Sequence, residues 1–251
     1  MAKLSEMVAW MDAQLRTAEI GDYPHALNGL QLGDEAEISQ IYAAVDASFP
    51  VIQKAATRGP GLLLVHHGLF WQGLQPIRGV QYRKIKHAMD AGVAIYSSHL
   101  PLDVHPEFGN NFLLAQALGV YQLEPVIESH GQKVGLIGNW RGTRAELLER
   151  ASSAVGSHVH HCPGGPDEIR RVAIITGGAG GEVAKIAALG ADAFVTGEGP
   201  HWSYPLAEEL GLNVFYAGHY ATETFGVKIL AGILAAHFAC KCDFIDHPTG
   251  L

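Results

Sequence analysis

The sequence predicts an α/β fold written in two blocks. From Ile38 onward, short apolar runs alternate with segments of helical periodicity, the order in which a sheet and its covering helices are laid down. A second series of the same kind follows a polar break at residues 123–132 that contains Pro125 and Gly131. With 251 residues, 48% of them hydrophobic and 17% charged, the chain has apolar material for a large core and too little charge for a disordered protein.

Taken in order, residues 1–15 read as an amphipathic helix in which Leu4, Val8, Met11 and Leu15 bury one face. Lys3, Glu6 and Asp12 interrupt it, so it lacks the apolar core of a secretory signal. Residues 41–45, 61–65 and 93–97 read as strands, with helices beginning near Phe49, Gln81 and Asn110. The second block reads as strand 133–137, helix 144–155, strands 159–161 and 172–176, helix 182–189, and strands 193–196 and 214–216. A last helix runs from about Ala221 to near His237. Its uncharged stretch, residues 229–240, is too short to cross a bilayer and reads as a buried helix. The break at 123–132 is the expected domain boundary. No membrane association is expected.

Charge narrows the function. Lys and Arg number 17 against 25 Asp and Glu, a formal charge of −8, which is the wrong sign for neutralising phosphates. DNA or RNA is therefore not expected as the main partner. Three cysteines cannot all pair within one chain, and with no export signal they read as reduced thiols of a cytoplasmic protein. The 14 histidines point instead towards metal, since imidazole is the commonest metal ligand.

Three segments place such ligands at a strand end. In GLLLVHHGLFW an apolar strand stops at His66 and His67. Neighbouring residues within a strand face opposite ways, so two adjacent ligands suit a strand terminus, where the backbone turns; taken alone, this segment is better explained as a pair of partly exposed histidines satisfied by carbonyls. In AIYSSHLPLDVHPEFGNN, His99, Asp103 and His105 supply a mixed N/O set, or Asp103 is a turn residue between Pro101 and Pro106. In FYAGHYATETFG, His219 and Glu223 lie four apart and share a face if a helix begins there. Three distant segments with ligands beyond strand ends agree with the rule that α/β sheets bind at the carboxyl ends of their strands.

These segments, together with NGLQLG at 28–33, TGGAGG at 176–181 and TGE at 196–198, resemble the GTP cyclohydrolase type 2 homologue, or NIF-three-like dinuclear metal-centre, family. The resemblance runs nearly end to end. It implies two related α/β domains with mixed sheets flanked by helices and a metal site in the interdomain cleft. The metal-binding domain is expected at 1–125 plus 218–251 and the second at 126–217. It further implies ligands at His66, His67, Asp103, His219 and Glu223 for two divalent ions, with Glu223 bridging and catalytic and His99 a catalytic group nearby. A ring-shaped homohexamer and a purine nucleotide substrate, with opening of the GTP imidazole ring, are also implied.

Other signals compete. His160, His161 and Cys162 look like a ligand cluster, but a strand entering a Pro/Gly turn explains them without metal, and the resemblance places no ligand there. After TGE the chain reads GPHWSYP, with His201 and Trp202, a departure from many relatives. Cys240 and Cys242 form a C-x-C without the second pair of a structural zinc site. The glycine-rich turn at 177–181 opens the way to a Rossmann-like dinucleotide binder, with Glu198 as the ribose acid, yet G-G-A-G-G is neither G-x-G-x-x-G nor a P-loop. Zinc, manganese and iron all suit the N/O ligand set. Two such ions acidify bound water and polarise the bond under attack, which is hydrolytic chemistry. A metal-binding protein without turnover remains the alternative.

Overall fold

A computed structural model of the protein describes residues 2–71, 73 and 75–251; Met1, the first residue of the expected N-terminal helix, and Gln72 and Leu74 lie outside the described residues. The chain begins β1 (Ala2–Lys3), α1 (Leu4–Leu15), β2 (Gly29–Leu32), β3 (Glu37–Ile38), β4 (Gln40–Asp46), α2 (Phe49–Arg58), β5 (Gly61–His67), α3 (Gly79–Asp90), β6 (Val93–Ser97) and α4 (Leu100–Asp103). It continues α5 (Asn110–Leu118), β7 (Tyr121–Ser129), β8 (Gln132–Thr143), α6 (Arg144–Val155), β9 (His160–Pro163) and β10 (Glu168–Ile175). A short 3-10 turn leads to α7 (Val183–Ala188), β11 (Ala193–Thr196), α8 (Ser203–Leu210), β12 (Asn213–Tyr216), α9 (His219–Thr222), α10 (Thr224–Phe238) and β13 (Lys241–Phe244). Two compact units result, one from the N-terminus to Leu102 with Gly226–His247, the other Asp103–Phe225 with Pro248–Leu251.

The first unit holds a five-stranded mixed sheet in the order β13, β4, β5, β6, β2, in which only β2 is antiparallel to its neighbour. Leu62, Leu63, Leu64 and Val65 are buried without alternation, as a parallel strand covered on both faces requires. Tyr42, Val51, Ile52, Ala55, Leu63 and Ile95 form one core cluster with Ile245. Helix α2 starts where Ser48 accepts the Val51 N–H at 3.4 Å, with Pro50 in the first turn, where a missing N–H costs nothing. In α1 the buried stripe is Leu4, Met7, Met11 and Leu15, so Met7 takes the place expected of Val8. Helix α10 buries Val227, Leu230, Ala231 and Leu234 but leaves Ile229 and Ile233 on an exposed face, so it is half-buried rather than enclosed.

The second unit is a six-stranded mixed sheet in the order β7, β8, β10, β11, β12, β9. Its centre, β10, β11 and β12, is parallel, and the remaining pairings are antiparallel. Residues 123–132, expected as a boundary, are instead β7 and the turn of its hairpin with β8. The segment reads as a linker because it is an edge strand: exposed, polar, and able to hold Pro125 because an edge residue can do without its N–H. Residues 103–125 and 218–225, grouped from sequence with the metal-binding domain, count with this second unit. Leu114, Ala115 and Leu118 of α5 and Phe225 pack in its core with Trp140, Leu147, Val172 and Phe215. Helix α6 opens with a reciprocal Thr143–Glu146 capping box.

The first unit thus brings four parallel strands, and the second three, to a common carboxyl edge. Those edges carry Asp46, His66 with His67, and Ser97 to His99 in the first unit, and Thr176 with Gly177, Glu198 and His219 in the second. Among the described residues, no helix is long and apolar enough to cross a membrane.

Candidate metal centre

In the first unit, β5 and β6 end beside each other, with Val65 opposite Ser97 and Asp46 opposite His67. The turn out of these strands brings His66, His67 and His99 together: each offers a ligand nitrogen, and the three atoms lie within 4.8 Å of one another. Every ring is held by an acceptor on Nδ1. His66 Nδ1 meets the Ser98 carbonyl at 2.9 Å, His67 Nδ1 meets Asp46 Oδ1 at 2.9 Å, and His99 Nδ1 meets Asp22 Oδ1 at 2.8 Å. A carbonyl or an ionised carboxylate can only accept, so each Nδ1 carries the proton and the neutral ring keeps the lone pair of Nε2 for a ligand. This is the outer-sphere arrangement that orients metal-binding imidazoles.

Asp22 is itself built in. Burial alone would raise its pKa, but the hydrogen bond and charge of His99, the Asn28 amide and the Leu100 N–H overcome that and hold the carboxyl below the usual range. Asn28 Nδ2 donates to Asp22 Oδ2 at 2.8 Å while Asn28 Oδ1 accepts the His99 N–H at 2.7 Å. The asparagine of NGLQLG thereby fixes both members of the Asp22–His99 pair.

The second unit repeats the device. His219 Nδ1 bonds Glu198 Oε1 at 2.8 Å, and its Nε2 lies 3.2 Å from Glu223 Oε1, a carboxylate only 3% exposed. Burial disfavours the imidazolium, but the two carboxylates outweigh it and push the His219 pKa up to about 9. With no cation present the ring is therefore charged at neutral pH, and a metal ion would take the place of its Nε2 proton. Asp103 is also buried in this unit. Its Oδ1 accepts from Asn110 Nδ2 at 2.8 Å and from Thr176 Oγ1 at 3.3 Å, while the residue after Thr176, Gly177, lies against Glu223. Gly177 has φ +70°, and a Cβ there would overlap Glu223 Oε1. Glycine at this position is a condition for that carboxylate to sit where it does.

The expected site residues therefore group as His66, His67 and His99 in one unit and His219 with Glu223 in the other, where Asp103 connects to Glu223 through Thr176 and Gly177. His105 stands apart from both sets: it stacks on Phe108 at 3.4 Å, and its Nδ1 accepts the Glu107 and Phe108 N–H groups. His161 lies flat on Phe215 at 4.4 Å, whereas His160 packs near Tyr204 and Tyr216. As adjacent residues of the edge strand β9 they face opposite ways and do not converge on an ion. Cys162, Cys240 and Cys242 are free thiols. The glycine-rich turn serves backbone contact: Gly180 donates to the Glu198 carbonyl at 2.9 Å, and a Cβ there would strike Gly199. Glu198, a ribose acid in the dinucleotide reading, is bonded to His219.

Sequence reasoning passed over Asp22, Asp46 and the orienting role of Glu198. Asp22 lies in a loop 77 residues from the histidine it orients, and no spacing rule links such a pair. Asp46 left a signal that can be read afterwards, a carboxylate closing an apolar strand beside one that closes in histidine.

Comparison with known proteins agrees with this architecture. The model of the DUF34/NIF3 (NGG1p interacting factor 3) family matches residues 2–249. The chain is 41% identical over 252 residues to the GTP cyclohydrolase 1 type 2 homolog of Pyrococcus horikoshii, covering 98% of each chain. It is 39% identical over 249 residues to that of Deinococcus radiodurans, covering 98% of this chain and 94% of the relative. Its fold is similar to the crystal structure of a Thermus thermophilus protein, with TM-score 0.90, 39% identity and coverage of 99% of this chain and 100% of that one. It is also similar to reduced HcgD from Methanocaldococcus jannaschii, with TM-score 0.87, 28% identity and 98% of both chains covered. A family match spanning nearly the whole chain, with relatives of the same length and fold, shows that this protein belongs to the DUF34/NIF3 family.

Proposed function

We propose that the protein is a dinuclear metal-dependent hydrolase acting on a nucleotide, with a purine nucleotide such as GTP as the leading substrate. The observation that carries the reading is the common posture of His66, His67, His99 and His219, each with an oxygen acceptor on Nδ1. Four imidazoles held in this way, with Asp103 and Glu223, match the chemistry of a site for zinc, manganese or iron. In this reading His66, His67, Asp103, His219 and Glu223 would hold one pair of divalent ions. Two divalent ions supply Lewis acidity and an acidified water for hydrolysis.

The protein's own groups do the rest. Asp22, Asp46 and Glu198 keep the rings in the tautomer that leaves Nε2 available. Asn110 and Thr176 hold Asp103 by one oxygen. His99, backed by Asp22, stands beside His66 and His67 to accept or return a proton at Nε2. The name carried by the P. horikoshii and D. radiodurans relatives supports a GTP-like substrate and opening of its imidazole ring. The homohexameric ring and the cytoplasmic setting belong to the same proposal, and light scattering at working concentration tests the ring.

The test of the reaction is a panel of purine and pyrimidine nucleotides incubated with metal-replete protein and followed by chromatography. The reading expects turnover of at least one purine nucleotide that stops on chelation and on Glu223→Gln. If metal-replete protein turns over none of the panel, the site is one of metal binding or interaction without catalysis.

A further inference from the structure

Where β10 begins, at the end of the second unit away from its carboxyl edge, β7, β8 and β10 line a cavity of about 660 Å³. It lies where β8 loses register with both its neighbours. Gln122 and Leu123 of β7 stand against Gly138 alone, and Trp140 and Arg141 of β8 stand against Arg170 alone, so a bulge flanks β8 on either side. Such bulges interrupt regular pairing and re-aim side chains. Gln122 adopts the left-handed conformation, φ +54°, within the first of them. Trp140 gives the cavity a fixed floor, being 5% exposed with its indole N–H donated to the Leu118 carbonyl at 3.0 Å. From Arg170 to Thr176 the chain advances six residues at about 3.3 Å each, which sets the cavity about 20 Å from the edge that carries Gly177.

The side chains around it suit an anion that carries a flat ring. Arg141 is exposed and has no carboxylate partner among the described residues. The Arg170 guanidinium meets Glu168 at 3.4 Å, but with the two side chains 82% and 79% exposed this pair is exchanged for another anion at little cost. Two available guanidiniums at one cavity oppose the sign of a chain whose formal charge is −8, and guanidinium grips phosphate through paired N–H groups. Tyr121 and Asn139 are directly opposed on β7 and β8, so their side chains leave the sheet on the same face. Tyr121 is 49% exposed, and its ring stacks on no other among the described residues. Asn139 Nδ2 donates to Gln122, which leaves its Oδ1 to accept from a ligand. We propose that this cavity binds a nucleoside monophosphate, its phosphate on Arg141 and Arg170 and its base against Tyr121, at a site separate from the metal centre. The volume falls within the range of about 300–1,000 Å³ usual for small-molecule sites, and every nucleobase offers a face to stack.

The test is titration calorimetry of the full-length protein with AMP, adenosine, ribose 5-phosphate and inorganic phosphate, each run with and without a chelator. Expected is AMP binding about tenfold or more tighter than any of the three fragments, and unchanged by the chelator. Arg141→Gln should weaken AMP about tenfold and leave adenosine unaffected, whereas Tyr121→Leu should weaken AMP about tenfold and leave ribose 5-phosphate unaffected. Tyr121→Phe should keep the affinity for AMP. Both altered side chains are exposed, and unchanged thermal melting shows that the fold survives. Inorganic phosphate binding as tightly as AMP would reduce the cavity to a plain anion site and overturn the assignment. Loss of AMP binding on chelation would move the nucleotide to the metal centre and overturn it too. Equal affinity for AMP and adenosine, or undiminished AMP binding in Arg141→Gln, has the same consequence.

Discussion

Gly177 offers a sharp test because the structure supplies its own control. Gly177 and Gly190 have nearly equal φ, +70° and +73°, in the left-handed region where an L residue costs about 1–2 kcal/mol. A Cβ at Gly190 meets nothing within 4 Å, so Gly190→Ala carries the backbone cost alone. At Gly177 the same Cβ would overlap Glu223 Oε1, stand 3.3 Å from Glu223 Cδ and 3.4 Å from His219 Nε2. Glu223 is 3% exposed and cannot simply swing into water. Gly177→Ala should therefore lose a further ~1–3 kcal/mol from forced repacking. By displacing a carboxylate from His219 it should also weaken metal uptake about 10- to 100-fold, the scale of a disturbed metal surround. Urea unfolding of both variants, with metal affinity from competition against a chelating dye, gives the comparison. Equal loss of stability in the two variants, or unchanged metal affinity in Gly177→Ala, would refute the reasoning.

Three further outcomes follow from named contacts. The His219 pKa of about 9 lies above its ordinary value, so the stability it lends the metal-free protein is complete below about 6.5 and is lost as pH rises through 9. NMR titration of the imidazole should show that midpoint, Glu198→Gln should lower it, and an ordinary midpoint in the unaltered protein contradicts the pairing. Asp22 has the opposite sign: its depressed pKa contributes stability that is present above the ordinary carboxylate value and lost as pH falls through the folded one. Asp22→Asn should cost about 1–3 kcal/mol at pH 7 and progressively less in acid, whereas a cost independent of pH would remove the charge from the explanation. Thr143→Ala breaks the α6 capping box and should cost about 1 kcal/mol in thermal or urea unfolding, with metal content unchanged.

Much of the first unit is legible in the sequence because its strands are uninterrupted apolar runs between turn residues. The ends of β5 and β6 can be placed closely enough to put His66, His67 and His99 at one edge. Less legible is anything decided by pairing across long separations. The β7 strand reads as a linker because an exposed edge strand has neither a buried face nor a need for Pro125's missing N–H. Helix α5 does not declare the unit it packs with, because its sequence shows an apolar face but not the Trp140 and Leu147 against which that face lies. In the candidate centre, the ligand types declare themselves as His-His and His-x-x-x-Glu, but the acids that orient them do not. Asp22, Asp46 and Glu198 are single carboxylates whose meaning arises only when folding sets each against an Nδ1. The glycines of 177–181 are visible as a turn, while their cause, the close approach of Glu223 and Gly199, is a tertiary fact.

The central claim is that the described imidazoles and carboxylates serve a pair of ions, and the direct measurement is metal analysis of purified protein joined to anomalous scattering from its crystals. The account predicts two peaks per chain, one or both within bonding distance of His66, His67, Asp103, His219 and Glu223, and their loss in Glu223→Ala. Crystals grown with excess zinc or manganese that show no anomalous peak among these side chains would contradict it.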